Sequence, residues 1–216
     1  NKKEKIADFK TAISSTVRSL SNSEKIEVSF GNDGSKSGTN SIRLPELNPI
    51  NNKFNYNQIR AIADSKSLRH RFSDPKTFEQ FEPNGNISKQ LYKISEKIRC
   101  EKIGTSYFKG VKNNIETFYQ ERLNGLDLKS SEDKIVESFE NYLRTKFLDF
   151  ENNSQIDKKL KSYKKDLNEK FKDKIGQLNE FTLDQEKFNS LISELITDMN
   201  LDENLDEEEK KDDEKN

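Results

Sequence analysis

The stretch NISKQLYKISEKIRCEKIGTSYFKGVKNNIETFYQERL, residues 86–123, carries two apolar stripes at helical spacing. The first stripe has four residues spaced by three or four, Ile87, Leu91, Ile94 and Ile98. The second follows Gly104 and consists of Tyr107, Val111, Ile115, Phe118 and Tyr119. Such spacing places side chains on one face of an α-helix. The stretch therefore predicts two helices that meet near Gly104 in a helical hairpin.

Helical spacing also occurs on both sides of this stretch. The first helix should end near Ser21, and its apolar face consists of Ile6, Phe9, Ile13, Val17 and Leu20. Residues 58–72 predict a second helix, and residues 75–81 a short one that Asp74 caps and Pro75 begins. Further along, another helix face comprises Ile135, Phe139, Leu143, Phe147 and Phe150.

Two short strands are predicted between the first two helices. Residues 26–30 alternate apolar and polar side chains, as a half-buried strand does. Residues 41–44 should pair with them in a β-hairpin across residues 31–40, and Pro45 should end the second strand.

The last third of the chain predicts a long helical arm and one more helix. The arm's apolar positions are Ile156, Leu160, Tyr163, Leu167, Phe171, Ile175 and Leu178. They span about seven turns, which at ~1.5 Å per residue gives roughly 35 Å. Thr182 and Gln185 have the spacing of a capping box for the last helix, whose apolar positions are Phe188, Leu191, Ile192, Leu195 and Ile196.

The predicted fold is mainly α: a multi-helix bundle with one short β-hairpin, a long C-terminal helical arm and a disordered acidic tail. Residues 202–216 form the tail, with nine acids and three lysines, a composition typical of disorder. We expect a helical domain with the β-hairpin at 1–128, a helical extension or long helical hairpin at 129–201 and a disordered acidic linker at 202–216. The chain starts with Asn and ends inside the acidic run, so we expect a segment of a longer protein.

Composition restricts the possible functions. Lysines and arginines are interspersed with acids, and the formal net charge is −1, so a nucleic-acid-binding surface is not indicated. No apolar run approaches the ~20 residues of a membrane span, and we expect no membrane partner. The single cysteine, Cys100, excludes an intramolecular disulfide and a multi-cysteine metal site. These features favour a cytoplasmic protein.

Two local patterns have alternative interpretations. Residues 33–37, DGSKS, match the D-x-S-x-S string of a metal-ion-dependent adhesion site, but no helix follows directly and a polar loop is the favoured interpretation. His70 and Cys100 are the only His and Cys, which formally permits a thiol–imidazole pair. Nothing in their spacing positions them together, so structural or solvated roles are favoured.

Several charged residues lie on predicted helix faces. Glu101 follows Ile98 on the apolar stripe, and Arg122 falls in the sector of Ile115, so both should point toward the core. A buried charge needs a partner, and Glu101 could pair with Arg122 or with Arg69. Glu96 and Arg99 are predicted on an exposed side as a surface pair. The candidate residues for buried polar roles or partner contacts are Asp64, Arg69, Glu96, Arg99, Glu101 and Arg122.

The order of several short blocks resembles the amino-terminal region of the aerobic cobaltochelatase T subunit. These blocks are Val28-Ser29-Phe30-Gly31, Arg43-Leu44-Pro45-Glu46-Leu47, Ala63-Asp64-Ser65, Leu68-Arg69, Glu96-x-x-Arg99-x-Glu101-x-Ile103-Gly104 and Glu121-Arg122. The resemblance extends from about Ile13 to Leu123. After residue 130 it is mainly one of helical character, ending in the acidic linker that precedes a von Willebrand factor A-like domain in that family.

The resemblance implies a role within a complex. In that family the T subunit and an AAA+ ATPase subunit form a chaperone-like assembly, which works with a large corrin-binding subunit. The complex inserts Co²⁺ into hydrogenobyrinic acid a,c-diamide with ATP and Mg²⁺, in cobalamin biosynthesis. By resemblance, this chain is the helical region before the A-like domain, with no cofactor of its own, and it contacts partners rather than catalysing the reaction. It could also form homo-oligomers.

Two other classes of function stay open from the residues alone. One is a stand-alone helical interaction module or ATPase adaptor unrelated to corrins, with residues 154–178 as an exposed arm. The other is a small metal-binding enzyme, which is disfavoured because one His and one Cys leave mainly carboxylates as ligands.

Overall fold

The computed structural model describes residues 2–31, 38, 40–47, 49–50 and 53–201, and within them the protein is mainly α. The helices are α1 (Lys2–Leu20), α2 (Tyr56–Phe72), α3 (Pro75–Gln80), α4 (Asn86–Tyr107), α5 (Lys109–Asn124), α6 (Ser131–Phe147), α7 (Ser154–Lys159), α8 (Lys161–Phe171), α9 (Ile175–Glu180) and α10 (Gln185–Thr197). The strands are β1 (Glu27–Phe30), β2 (Ser41–Leu44), β3 (Pro49–Ile50) and β4 (Lys53–Phe54). The mainly α class is confirmed.

The pairing of the first two strands differs from the prediction. β1 and β2 run parallel, with Glu27 opposite Ser41 and Phe30 opposite Leu44, so they are not a β-hairpin. The alternation of apolar and polar side chains is the same for both directions of a strand, so it does not distinguish parallel from antiparallel pairing. Antiparallel pairing occurs instead between β3 and β4, which the sequence patterns did not predict.

The chain divides into two compact units whose segments alternate along the sequence. Unit 1 comprises Asn1–Phe72 and Gly104–Arg122, and unit 2 comprises Ser73–Ile103 and Leu123–Asn216. Helices α4 and α5 therefore belong for the most part to different units. The expected domain division at residue 128 stays a prediction.

Unit 1 has its core where α1, α2 and β2 pack together. The residues that each helix contributes to this core are four apart, Ile13 and Val17 on α1 and Ile59 and Ala63 on α2, whereas β2 buries alternate residues. The buried cluster consists of Ile13, Val17, Ile26, Ile42, Leu44, Leu47, Ile59 and Ala63.

Gly104 does not separate two helices, because α4 passes through it and ends at Tyr107. Within unit 1, a Cβ added at Gly104 would lie 2.3 Å from Cδ2 of Leu68, which is fully buried. The glycine thus allows a close approach between α4 and α2. Phe108 alone separates α4 from α5.

Unit 2 is built around α4 up to Ile103, with α6, α8, α9 and α10. α8 packs along α6, and α10 packs on α3 and α9. Aromatic rings fill the space between helices: the ring centroids of Phe139 and Phe171 lie 5.8 Å apart, and those of Phe147 and Phe188 lie 5.9 Å apart. Edge-on and tilted ring contacts of this kind are common in protein cores.

The predicted long arm is three short helices. The chain leaves helical geometry at Leu160, and again between Phe171 and Ile175. Leu160, Phe171 and Leu178 are all fully buried, and a straight projecting helix would leave such side chains in water. Breaking the helix lets these side chains pack into unit 2, and the burial stabilises each by about 1.5–3 kcal/mol.

The last helix begins differently from the prediction. Asp184, not Thr182, caps α10, because its side chain accepts the backbone N–H of Lys187. The Thr182 hydroxyl donates back to the carbonyls of α9. The cap that Asp74 supplies to α3 is confirmed. In the part of the chain that the structure describes, no helix is both long and apolar enough to cross a bilayer.

Candidate functional site

Glu96 and Arg99 form a buried ion pair on α4. Arg99 donates from Nε and Nη2 to the two carboxylate oxygens of Glu96, at 2.9 and 2.8 Å. The exposed fractions of the two side chains are 1% for Arg99 and 0% for Glu96, so the predicted exposed position is wrong. The amphipathic pattern failed here because α4 is buried on several sides.

A backbone carbonyl distant in sequence completes the environment of Arg99. Its Nη1 donates to the carbonyl oxygen of Thr182 at 2.9 Å, and its guanidinium lies 5.9 Å from the centroid of the Phe188 ring. Burial opposes the charge of Arg99, but the hydrogen bonds to Glu96 and the adjacent charges raise its pKa. Arg99 is therefore a permanent cation that links α4 to the turn before α10.

A second group of buried charges joins α4 to α6. Arg144 donates from Nη1 to Glu101 at 2.8 Å and from Nε to Glu140 at 2.9 Å. Lys97 Nζ lies 3.7 Å from the same Glu140 oxygen, at the half-exposed end of the group. Glu101 is fully buried, as its position on the apolar stripe predicts. Its pairing with Arg122 or Arg69 stays a prediction.

The two groups have the geometry of structural ion pairs. Each guanidinium is held by carboxylates within hydrogen-bond distance, and charge-assisted bonds of this kind fix geometry strongly. Among residues 2–31, 38, 40–47, 49–50 and 53–201, no three His, Cys, Asp or Glu side chains lie close enough together to hold a metal ion. Partner contacts by the six residues singled out from the sequence stay a prediction; these residues are Asp64, Arg69, Glu96, Arg99, Glu101 and Arg122.

The remaining candidates lie in unit 1. Asp64 on α2 is buried and accepts a hydrogen bond from Asn114 Nδ2 of α5 at 2.8 Å. Burial raises the pKa of Asp64 to about 6, against the opposing effects of that hydrogen bond and of the Arg60 charge. Arg122 is half-buried and lies over the Tyr119 ring at 5.0 Å. Arg69 is half-buried in the last turn of α2.

A family model described as "Cobalamin biosynthesis protein CobT" matches residues 3–216. The chain belongs to the CobT family. This confirms the resemblance to the cobaltochelatase T subunit, and the family's description links the chain to cobalamin biosynthesis. No solved structure matches the chain.

The blocks that carry the resemblance to CobT hold four charged residues that are buried. Glu96, Arg99 and Glu101 all lie inside unit 2, and Asp64 lies inside unit 1. In this CobT-family chain these four charged motif residues therefore lie in the interior of the units and not on their surfaces.

Sequence reasoning missed Arg144, Glu140, Thr182 and Asn114. A signal existed for the α6 pair, because Glu140 and Arg144 are four residues apart and directly follow Phe139 and Leu143 of the apolar stripe. No local signal pointed to Thr182, whose role depends on a backbone carbonyl.

The His70–Cys100 pair and the DGSKS string at residues 33–37 have different outcomes. The Cys100 Sγ lies 3.7 Å from Glu96 Oε1 and 3.8 Å from Arg99 Nη2, inside unit 2. His70 is half-buried in the last turn of α2, in unit 1. The string at residues 33–37 lies outside the described residues, as does the tail at residues 202–216.

Proposed function

We propose that this chain is a non-catalytic helical region of the T subunit of an ATP-dependent cobaltochelatase. The complex inserts Co²⁺, its substrate, into hydrogenobyrinic acid a,c-diamide, and this region acts through contacts with an AAA+ ATPase subunit and a large corrin-binding subunit. A cytoplasmic location and the capacity to form homo-oligomers belong to the same proposal.

The observation that carries the proposal is the CobT family match over residues 3–216. The buried charges supply a physical reason for a scaffold role. Glu96, Arg99 and Glu101 are enclosed by unit 2 and held by hydrogen bonds at 2.8–2.9 Å. Side chains so placed hold helices in fixed positions, and a fixed helical surface is what a partner-binding region requires.

The experiment uses the full-length parent protein and the candidate ATPase and large subunits of its own organism. The T and ATPase subunits are co-purified with and without ATP, and Co²⁺ insertion is then measured after the large subunit is added. The proposal predicts a complex and ATP-dependent insertion. Arg99→Met in the T subunit should weaken the complex, whereas Lys165→Met at an exposed position should not.

Two outcomes contradict the proposal in different ways. A stable complex that inserts no Co²⁺ would indicate an ATPase adaptor with another substrate. The absence of any association would favour the stand-alone interaction module. To separate contact from catalysis, the segment 1–216 is added in excess to the intact complex, and it should compete with the T subunit and lower the insertion rate.

A further inference from the structure

Two Asn-Gly pairs occur in the chain, Asn84-Gly85 and Asn124-Gly125, and both lie in unit 2. Asparagine is one of the thermolabile residues. It loses its side-chain amide most readily when glycine follows, because glycine has no Cβ to hinder attack by its own backbone nitrogen. Both asparagines thus have the same intrinsic reactivity, and any difference between them has to come from the fold.

Asn84 lies in the bend that joins α3 to α4. Its side chain is exposed, and it makes no hydrogen bond to any residue that the structure describes. The chain is anchored on both sides of the bend, because Pro83 and Ile87 are buried. The carboxamide of Asn84 can therefore rotate without disturbing the packing of unit 2.

The backbone nitrogen of Gly85 is the nucleophile that deamidation requires. The φ of Gly85 is +91°, which glycine adopts without strain. Its carbonyl accepts the backbone N–H of Lys89 at 3.2 Å, whereas its own N–H donates to no group in the described part of the chain. Solvent hydroxide can remove the proton of such an N–H, and the nitrogen can then attack Cγ of Asn84.

Asn124 is held more firmly than Asn84. It is the last residue of α5, so its backbone has helical geometry. Its Oδ1 also accepts a hydrogen bond from Asn153 Nδ2 at 3.5 Å. Ring closure requires ψ of the asparagine to leave the helical range near −42°, so Asn124 can react only after it detaches from the end of α5.

We propose that Asn84 is a site of spontaneous deamidation and that the fold protects Asn124. The Gly85 nitrogen loses its proton and bonds to Cγ of Asn84, the Cγ–Nδ2 bond breaks, and Nδ2 leaves as ammonia. Water then opens the succinimide ring at either of its carbonyls, which yields aspartate or isoaspartate at position 84. The sum is one water consumed and one ammonia released, with no change of oxidation state.

The product places a new carboxylate beside the N-terminus of α4, which begins at Asn86 and has no acidic residue in its first turn. A negative charge at this end of a helix interacts favourably with the helix dipole. Asn84→Asp reproduces the aspartate product, and its melting temperature should equal or exceed that of wild type. A lower melting temperature would contradict this placement of the charge.

The test incubates the full-length protein at pH 6 and at pH 8 and follows the peptides that contain Asn84 and Asn124 by mass spectrometry. Asn84 should react at least fivefold faster than Asn124, and its rate should rise with pH because hydroxide removes the proton of Gly85. Isoaspartate at position 84 is detected with an isoaspartate-specific methyltransferase. In urea, where the fold is lost, the two rates should lie within twofold of each other.

Three variants make the test specific. Gly85→Ala should slow the reaction at Asn84 at least fivefold, and Gly125→Ala, whose Cβ meets nothing within 4 Å, is the matched control that should leave it within twofold. Because alanine is strained at the φ of Gly85, Asn84→Gln provides a second test: it keeps an amide there but should abolish the mass shift, since ring closure is slower by one more carbon.

Two results would overturn the proposal. The first is an equal or faster reaction at Asn124 in the folded protein. The second is a fivefold difference that persists in urea, which would assign the difference to local sequence and not to the fold.

Discussion

Buried charges in unit 2 are held by partners that lie far away in sequence. Arg144 is 43 residues from Glu101, and Thr182 is 83 residues from Arg99. Removing one member of a buried ion pair leaves the other charge without compensation, and this typically costs about 3–5 kcal/mol. The exposed pair Lys165–Glu169, at 3.9 Å, provides a reference on a helix surface.

Glu101→Ala should therefore lower the free energy of unfolding by about 3–5 kcal/mol, because Arg144 loses a buried carboxylate. Glu96→Ala should have an effect of similar size, since Glu96 is equally buried; its predicted exposed position would have implied a small one. Glu169→Ala is the control and should cost less than about 1 kcal/mol. Urea unfolding of the three variants measures these values, and equal small effects for all of them would contradict the buried pairs.

Asp64 makes the stability of unit 1 dependent on pH. Burial raises its pKa from 3.8 to about 6, so the folded state holds the proton more tightly than the unfolded chain does. Stability from this group is present below pH 4 and is lost as the pH rises toward 6 and above. In the Asp64→Asn variant, the new amide oxygen can still accept the hydrogen bond from Asn114, but the side chain carries no charge.

At pH 7.5, Asp64→Asn should raise the free energy of unfolding by about 1–3 kcal/mol, because the wild-type side chain is a buried, ionised carboxylate at this pH and the amide carries no charge. The gain should shrink as the pH falls toward 4. Melting temperatures at a series of pH values measure the difference between wild type and variant. Asp8→Asn on the exposed face of α1 is the control, and a gain that does not depend on pH would refute the raised pKa.

At the scale of elements, helices and strands were predictable where the local spacing of apolar residues determines the secondary structure. The stripe from Ile6 to Leu20 and the Asp74 cap correspond to observed elements. The patterns failed where distant contacts decide. The apolar stripe from Ile156 to Leu178 fits one helix as well as three, and only packing against α6 favours the breaks. The parallel direction of the β1–β2 pair likewise cannot be read from the alternation in either strand.

Gly104 shows how a contact between elements can overrule a local signal. Glycine normally weakens a helix interior by about 1 kcal/mol relative to alanine, and it was expected to end one. Gly104→Ala should instead destabilise unit 1 by about 1–3 kcal/mol, because the new Cβ collides with the buried Leu68. Thermal unfolding measures the effect.

Two further variants make the Gly104 prediction specific. Gly110→Ala is the matched control, since a Cβ there meets nothing within 4 Å, and it should be neutral or slightly stabilising. Leu68→Ala combined with Gly104→Ala should cost less than the sum of the two single changes, because the smaller side chain makes room for the methyl group. Additive effects would mean that the close approach is not the cause.

For the molecule as a whole, the sequence predicted a mainly α fold but not which segments share a unit. Unit 1 takes residues 104–122 and unit 2 takes residues 73–103, so chain order is a poor guide to packing. The candidate site was found in part for the same reason. Glu101 was placed correctly by its own helix, whereas Arg99 was misplaced because the Thr182 carbonyl that accepts its hydrogen bond lies 83 residues later.

The acidic tail provides a test of how much of the chain the fold requires. Residues 202–216 contain nine acids, three lysines and one apolar residue, Leu205, so they have almost no apolar surface to bury. Removing them should change the melting temperature by less than about 2 °C. The control is a chain ending at residue 194, which also loses Leu195 and Ile196, both buried on α10.

Burial of two such side chains contributes roughly 3–6 kcal/mol, so the control should unfold well below wild type. Both truncations are compared by thermal unfolding at low and at high salt. The nine carboxylates repel one another at low salt, and salt screens this repulsion beyond about 10 Å. Because the tail has almost no apolar surface to bury, the chain that lacks only residues 202–216 should match wild type in both salts. A large loss of stability on removing residues 202–216 would show that the acidic segment is part of the folded structure.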